Sequence, residues 1–318
     1  MSTTDTTDTE IDPTPAAATA VAPPHGNKPI GKSPATVAWL MLVPAGVLLI
    51  TFLIIPIILT FILAFTNARL ISPRPATFVG VDNFVRLFSD ETFWAALRNT
   101  VVFAVVVVPV QSAIALGLAV LVNKKMRGIN FFRTIYFLPV VTSIVVVSML
   151  WLFMYQPDGL INAVLARFGI QGPDWLGNPN TALFAIIVLS IWQACGMHMI
   201  IWLSGLQTIP GELYEAAEID GATKRQQFVH VTWPGLRPTA VFILITITIA
   251  AFSLFSQVNL MTQGGPLDST VTLVLMAVRV GFQQQQTGYA AAISLVFFAL
   301  VLIVTLLNRY FTRDKDAR

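Results

Sequence analysis

Long apolar runs separated by short polar segments dominate the pattern of this chain. Six runs of about twenty residues or more contain no Asp, Glu, Lys or Arg. They are Thr36–Phe65, Asn99–Val122, Thr134–Tyr155, Thr181–Leu206, Thr239–Met261 and Tyr289–Leu307. A helix of that length spans the hydrocarbon layer of a bilayer and satisfies its own backbone hydrogen bonds there. The pattern therefore predicts an all-α membrane protein with six transmembrane helices.

A seventh apolar segment, Ser269–Phe282, is too short to cross a bilayer. We expect it to form a re-entrant or interfacial helix on the outer side. The first long run contains Pro44 and Pro56, and it is long enough to tilt or to kink at these residues.

The composition agrees with a membrane protein, since 55% of the residues are hydrophobic, 11% are charged and the mean hydropathy is +0.74. Short alternating segments, which are typical of a membrane β-barrel, are not seen in the runs. The single cysteine, Cys195, lies in the fourth run and has no partner for an internal disulfide. We expect it to pack as a small apolar residue.

The positions of the basic residues predict the orientation. Thirteen of the 19 Lys and Arg residues lie in the two terminal segments and in the loops after the second and fourth spans. The opposite side carries Arg69, Arg74, Arg86, Arg98, Arg167 and Arg279. Because basic residues accumulate on the cytoplasmic side, both termini of this multi-pass protein are predicted to be cytoplasmic. No basic soluble domain is present, so we predict no nucleic-acid partner, and the apolar spans are expected to contact membrane lipid.

Residues 1–34 are rich in Thr, Pro and Ala, which predicts a disordered cytoplasmic tail ahead of a membrane domain at 35–318. The tail is not a signal peptide, because its start is acidic and prolines break its apolar patch. The stretch Gly26–Ser33 matches the phosphate-binding pattern GxxxxGK[ST]. That loop needs a strand before it and a helix after it, whereas Pro29 lies inside the match and Pro34 follows it. We therefore predict that this chain does not bind ATP through this stretch.

A charged cytoplasmic segment, residues 209–234, interrupts the apolar pattern between the fourth and fifth spans. Pro210 suits the first turn of a helix that Thr208 caps, and acidic residues favour its N-terminal half. Leu213, Ala216 and Ala217 share a face whose small side chains allow close approach of another backbone. Gly221 is predicted to end this helix. A second helix follows, with Phe228 and Val231 on its apolar face, and it is expected to close at Pro234 and Pro238.

The residues "EAAEIDGA" at 215–222 and "VTWP" at 231–234 resemble the EAA loop of bacterial ABC-importer permeases. Trp233 stands where that family usually has Leu. The stretches at 99–123, 131–143, 157–162 and 261–274 are similar to the carbohydrate branch of the family. This branch includes the first permease subunit of the maltose, lactose and glycerol-3-phosphate importers. The resemblance covers roughly residues 35–310.

The resemblance implies a permease subunit of the bacterial inner membrane that imports a sugar or a sugar-like solute. It assigns Glu215, Ala216, Ala217, Asp220 and Gly221 to a coupling helix that docks on an ATPase. It also implies a second permease subunit, two ATPase subunits and an extracytoplasmic solute-binding protein. ATP and Mg²⁺ would be bound by the ATPase partners, so this chain is expected to bind no cofactor and to be no enzyme itself.

Seven polar side chains and one methionine in three spans are candidates for the substrate pathway, which the resemblance places on these spans. They are Thr142, Ser143, Ser190, Gln193, Met197, Ser253, Ser256 and Gln257. The spacing of the members from the fourth span, and of those from the fifth, puts each set on one face of a helix. Such residues also bond their own backbone or join helices, so a structural role stays open. His198 is expected to be a packed histidine, and the lack of cations in the spans favours a neutral sugar.

Two alternatives remain. An ion-gradient-driven secondary transporter is disfavoured because such proteins place ionisable residues in their spans to carry the coupling charge. A receptor or scaffold would use the charged loop to recruit a soluble protein without moving a solute.

Overall fold

The computed structural model describes residues 34–72, 75–123 and 128–312 of the 318-residue chain. It divides the chain into two compact units, residues 1–54 and 55–318. Apart from Pro34, the predicted tail lies outside the described residues, together with the phosphate-loop-like stretch Gly26–Ser33.

The described part of the first unit is helical. It consists of α1, Pro34–Leu49, and a π-helical turn, Ile50–Ile54. Pro44 lies inside α1.

The second unit is built almost entirely from helices. Its α-helices are α2 Ile55–Leu63, α3 Asp82–Phe88, α4 Glu91–Val122, α5 Ile129–Val141, α6 Ile144–Met154, α7 Leu160–Arg167, α8 Ala182–Gln207, α9 Gly211–Ile219, α10 Lys224–Gln227, α11 Trp233–Phe252, α12 Ser256–Met261, α13 Leu273–Val278 and α14 Thr287–Thr312. Two π-helical turns, Phe228–Thr232 and Arg279–Gln283, connect α10 to α11 and extend α13.

Within the described residues, five helical stretches are long and apolar enough to cross a membrane. These are Trp39–Leu63, Glu91–Val122, Ala182–Gln207, Lys224–Met261 and Thr287–Asn308. A sixth span is formed if the pair Phe131–Val141 and Ile144–Met154, bent by 97°, is taken as one broken crossing. The predicted number of spans is confirmed in this sense, but the prediction of a continuous third span is wrong.

The third span breaks at Thr142 and Ser143, where the backbone is extended instead of helical. Pro139 lies in the last turn of α5 and has no N–H to donate to the preceding turn. The hydroxyl of Thr142 donates to the carbonyl of Leu138 at 3.0 Å, which replaces a backbone donor at the helix end. The helix therefore stops after Val141, and α6 leaves in a new direction.

The predicted fifth span, Thr239–Met261, is confirmed within the stretch Lys224–Met261, but its helix is interrupted near the end. Helix α11 ends at Phe252, and α12 begins only at Ser256. The freed carbonyl of Leu254 is buried and accepts a hydrogen bond of 2.9 Å from the hydroxyl of Thr272. A buried carbonyl outside a helix needs such a donor. The helices that follow the two breaks, α6 and α12, pack against each other.

Helix α8 lies at the centre of the bundle and packs against α4, α5 and α11. Trp202, Ile186 and Met199 are among its fully buried side chains. Gly196 allows α5 to approach closely, because a Cβ added there would lie 2.0 Å from the carbonyl oxygen of Tyr136. Small residues commonly permit such close packing of membrane helices.

The short helix predicted over Ser269–Phe282 is present as α13 and its π-helical extension, Leu273–Gln283. The loop before it is tied to α4 by hydrogen bonds. The amide of Asn99 donates to the carbonyls of Asp268 and Val271, at 2.8 and 3.0 Å. The backbone N–H of Leu273 donates to the hydroxyl of Thr100 at 3.1 Å.

We expect Asn99→Leu to destabilise the protein by about 1–3 kcal/mol, because two carbonyls lose their donor at a buried position. Leu has nearly the same shape as Asn, so the loss of packing is small. Thermal unfolding of the detergent-solubilised protein measures the effect. Arg98→Ala is the control, since Arg98 is the exposed neighbour. Equal unfolding temperatures for Asn99→Leu and wild type would show that the hydrogen bonds of Asn99 do not stabilise the protein.

Candidate functional site

Helix α9 begins at Gly211, and Pro210 precedes it with φ −58° and ψ 134°. The predicted role of Thr208 as its N-cap is wrong. Thr208 ends α8 instead, and its hydroxyl donates to the carbonyl of Gly205 at 2.8 Å. The end of α8 and the start of α9 are close in the sequence, and the Thr208 hydroxyl bonds to α8.

The end of α9 requires a glycine. Gly221 has φ +74°, a left-handed conformation that residues with a Cβ rarely adopt. Its N–H donates to the carbonyl of Glu218 at 3.1 Å, and the N–H of Ala222 donates to that of Ala217 at 2.9 Å. These two bonds form a Schellman motif, so the predicted end of the helix at Gly221 is confirmed.

The two sides of α9 differ in exposure. Tyr214 faces the rest of the chain, where its hydroxyl lies 3.0 Å from the hydroxyl of Thr232, and Ala217 is half-buried. Ile219 is 87% exposed and Leu213 51% exposed. The predicted coupling residues that are exposed are Glu215, Ala216, Asp220 and Gly221. Ala217 is the least exposed of the five, and Ile219 is a large apolar surface residue that the sequence analysis did not select.

The hairpin of α9 and α10 is held by polar contacts at its tip. Thr223 and Gln226 form a capping box at the start of α10. Lys224 donates to the carboxylate of Glu218 at 2.6 Å. This hydrogen bond, with the charge of Lys224, lowers the pKa of Glu218. The pair is exposed and contributes little stability, but it orients α9 relative to α10.

Helix α10 continues without a gap through the π-helical turn into α11. The prediction that Pro234 and Pro238 close a separate second helix is therefore wrong. Pro234 has no N–H to donate, and the wider π-helical turn directly before it accommodates the missing bond. The second helix of the hairpin and the fifth span therefore belong to one helical stretch.

The candidates on α8 lie on one helix but in different environments. Ser190 is buried, and its hydroxyl donates to the carbonyl of Ile186 in its own helix at 2.8 Å. Gln193 is half-buried, and Met197 is 46% exposed. Ser190 thus has a structural partner, whereas Gln193 and Met197 lie nearer the surface of this subunit.

The candidates on the third and fifth spans lie at the two breaks. Thr142 and Ser143 form the break between α5 and α6. Ser253 ends α11 with its hydroxyl donating to the carbonyl of Ile249 at 2.9 Å. Ser256 and Gln257 begin α12, so the predicted common helical face with Ser253 is wrong. Discontinuous membrane helices are a recurrent feature of transporter binding sites, because their ends present free backbone groups.

A cleft of about 800 Å³ lies between α4, α5, α6 and α8. Its walls are mostly apolar and include Tyr136, Pro139 and Trp192. Of the eight predicted pathway residues, Thr142 alone lines it. The structure therefore does not gather the eight candidates around one cavity of this subunit.

A buried polar pair joins α4 to α8, and the sequence analysis found only one of its members. The amide nitrogen of Gln111 lies 2.9 Å from Nδ1 of His198, which is also 3.0 Å from the carbonyl oxygen of Ala194. His198 is thus a packed histidine, as predicted. Gln111 and the adjacent Ser112 are polar residues inside an apolar run, and this was the available signal.

Residues 111–316 match the family described as "Binding-protein-dependent transport system inner membrane component". The matched part contains both broken spans, the α9 hairpin and α13. The chain belongs to this family. The resemblance to ABC-importer permeases is therefore confirmed, and the protein is a multi-pass permease subunit.

Proteins that are similar to this chain are also described as parts of transport systems. The permease is 38% identical over 283 residues to the lactose transport system permease protein of Rhizobium radiobacter, covering 87% of this chain and 94% of that protein. It is 36% identical over 287 residues to the diacetylchitobiose uptake system permease protein of Streptomyces coelicolor, covering 84% and 81%. The crystal structure of a bacterial ABC transporter involved in the import of the acidic polysaccharide alginate superposes with a TM-score of 0.77. That match is 25% identical and covers 89% of this chain and 96% of the other.

Proposed function

We propose that the permease carries a saccharide into the bacterial cytoplasm as one subunit of an ATP-driven importer. The relatives named above are described as carriers of lactose, diacetylchitobiose and alginate, which supports a saccharide. The observation that carries the proposal is the exposed α9 hairpin, whose second helix runs without a gap into the fifth span.

In this proposal α9 is the coupling helix. Glu215, Ala216, Asp220 and Gly221 contact an ATPase subunit, and Ile219 adds apolar contact area. Ala217 supports the contact from the side that faces the chain. ATP and Mg²⁺ are bound by two ATPase subunits, so this chain performs no hydrolysis. The hairpin then lies in the cytoplasm, as do both termini.

Closure of the ATPase pair on ATP moves α9, and the continuous helix passes the motion to the fifth span. A second permease subunit completes the solute pathway, and an extracytoplasmic binding protein delivers the solute. The packed pair α6 and α12 brings the broken third and fifth spans together, so Thr142, Ser143, Ser256 and Gln257 are the favoured pathway residues. Rigid-body rocking of the spans gives access to each side in turn.

The test is uptake by proteoliposomes that contain the permease, its companion permease and the ATPase. A ligand screen of the binding protein identifies the saccharide to be used in radiolabelled form. We expect uptake that needs both ATP and the loaded binding protein. Uptake by the permease alone under an ion gradient would support the secondary transporter instead. ATP hydrolysis without any solute uptake would contradict the importer.

A further inference from the structure

A polar basin of about 530 Å³ lies between α12 and the end of α13. It is lined by Asn259, Gln263, Arg279, Gln283 and Gln284. These residues lie in or beside the segment that joins the fifth and sixth spans. The α9 hairpin precedes the fifth span, so in the proposed topology the basin opens on the extracytoplasmic side.

Arg279 is the cation of this basin. Its side chain is half-buried, and a Cβ added to Gly264 would lie 3.1 and 3.2 Å from its two terminal nitrogens. Because Gly264 has no side chain, the guanidinium can lie against its backbone. Gly264 has φ +81°, a conformation that residues with a Cβ rarely adopt. In the described parts of the chain, Lys224–Glu218 is the only ion pair closer than 4.0 Å. Within those parts, Arg279 therefore has no carboxylate at that distance.

A carboxylate that shares a cavity with Arg279 is already hydrogen-bonded to other groups. Arg279 also borders a smaller cavity of about 260 Å³, whose wall includes Arg86 and Asp90. Asp90 is already engaged, since one oxygen accepts from the hydroxyl of Tyr289 at 2.8 Å and the other from the N–H of Thr92 at 2.9 Å. Two guanidinium groups thus border the same cavity as one carboxylate, and that carboxylate already accepts two hydrogen bonds from other groups.

The backbone around the basin is held in place before any ligand arrives. On one wall, the N–H of Gln284 donates to the carbonyl of Arg279 at 2.9 Å. On the other, the N–H of Gln263 donates to the carbonyl of Val258 at 2.8 Å. A preorganised site loses less conformational entropy on binding than a mobile one.

We propose that this basin binds a saccharide that carries a carboxylate, with Arg279 as the residue that selects the acid. Guanidinium forms two parallel hydrogen bonds with a carboxylate. The four surrounding amides each donate and accept, as sugar hydroxyls do. The proposal rests on the proposed function, and it changes the sequence-based preference for a neutral sugar, because the deciding cation lies outside the spans.

The test is equilibrium binding of digalacturonate to the assembled importer complex in nanodiscs, by calorimetry. The neutral reference ligand is the dimethyl ester of digalacturonate, which keeps the hydroxyls and removes the charge. We expect the acid to bind at least about tenfold more tightly than the ester, as for a charge-assisted hydrogen bond. Arg279→Gln should abolish this preference, and Arg279→Lys should retain part of it.

Arg167→Gln is the matched control, since Arg167 is an exposed residue at the end of α7 and lines no part of the basin. It should keep the preference. Equal affinity of wild type for acid and ester would overturn the proposal, as would an unchanged preference in Arg279→Gln. The proposal also fails if the free acid does not bind, and weaker docking of the binding protein to Arg279→Gln would then show that the basin holds a protein carboxylate. ATP-driven uptake of any saccharide is measured separately. The importer proposal and the proposal of a carboxylate site can therefore fail independently.

Discussion

Gly221→Pro is expected to reduce ATP-driven uptake to the background level while the permease still enters the membrane. Proline holds φ near −65°, whereas Gly221 has φ +74°. The substitution also removes the N–H that donates to the carbonyl of Glu218. The Schellman end of α9 cannot form, so α9 and α10 lose their relative orientation. The motion of the ATPase would then no longer reach the fifth span in a defined direction.

Gly211→Pro is the matched control for this experiment. Gly211 is the first residue of α9, a position that favours proline, and Pro210 before it already has the extended ψ of 134° that a following proline requires. Uptake by Gly211→Pro should stay close to wild type. Membrane content and assembly with the ATPase are measured for both variants by quantitative blotting and co-purification. Normal uptake by Gly221→Pro would show that the hairpin does not transmit the motion.

Gly196→Leu is expected to give the largest loss of stability of any substitution discussed. A Cβ at this position would lie 2.0 Å from the carbonyl oxygen of Tyr136, and a backbone atom cannot turn away as a side chain can. Helices α5 and α8 must therefore separate. We expect a cost at or above the upper end of the about 1–3 kcal/mol that overpacking usually brings. The measurement is the unfolding temperature of the detergent-solubilised complex.

Gly117→Leu provides the comparison, because nothing lies within 4 Å of a Cβ at Gly117 and the residue is exposed. The same change of side chain, also inside a long apolar helix, should leave the unfolding temperature nearly unchanged. If both variants lost the same stability, the close approach of α5 and α8 would not be the cause.

The spans and the end of α9 could be predicted because each depends on local properties. An uncharged apolar run of sufficient length forms a helix that crosses the bilayer. The left-handed backbone at position 221 is one that glycine adopts far more readily than other residues. The sequence also located the short helix before α14, since its apolar segment is too brief to cross the membrane.

The breaks in the spans depend on contacts that are distant in the sequence. No glycine or proline lies at Ser253–Phe255, and the carbonyl freed there is satisfied by Thr272, which belongs to another segment. The predicted face of Ser253, Ser256 and Gln257 assumed an unbroken helix and failed for that reason. Pro139 was a local signal for the other break, but proline is often tolerated inside membrane helices and did not by itself predict the 97° bend.

The bend between α5 and α6 has a consequence for how cells must make this protein. Its extended residues, Thr142 and Ser143, and the turn before them have polar backbone groups outside a regular helix, and Ser143 is exposed. Hydrocarbon offers no donors or acceptors to such groups, so another protein surface or water must cover them. A single copy of the permease in lipid would expose these backbone groups to the hydrocarbon. If the proposed second permease subunit covers this part of the bend, copies made in excess of that subunit would leave these backbone groups facing lipid.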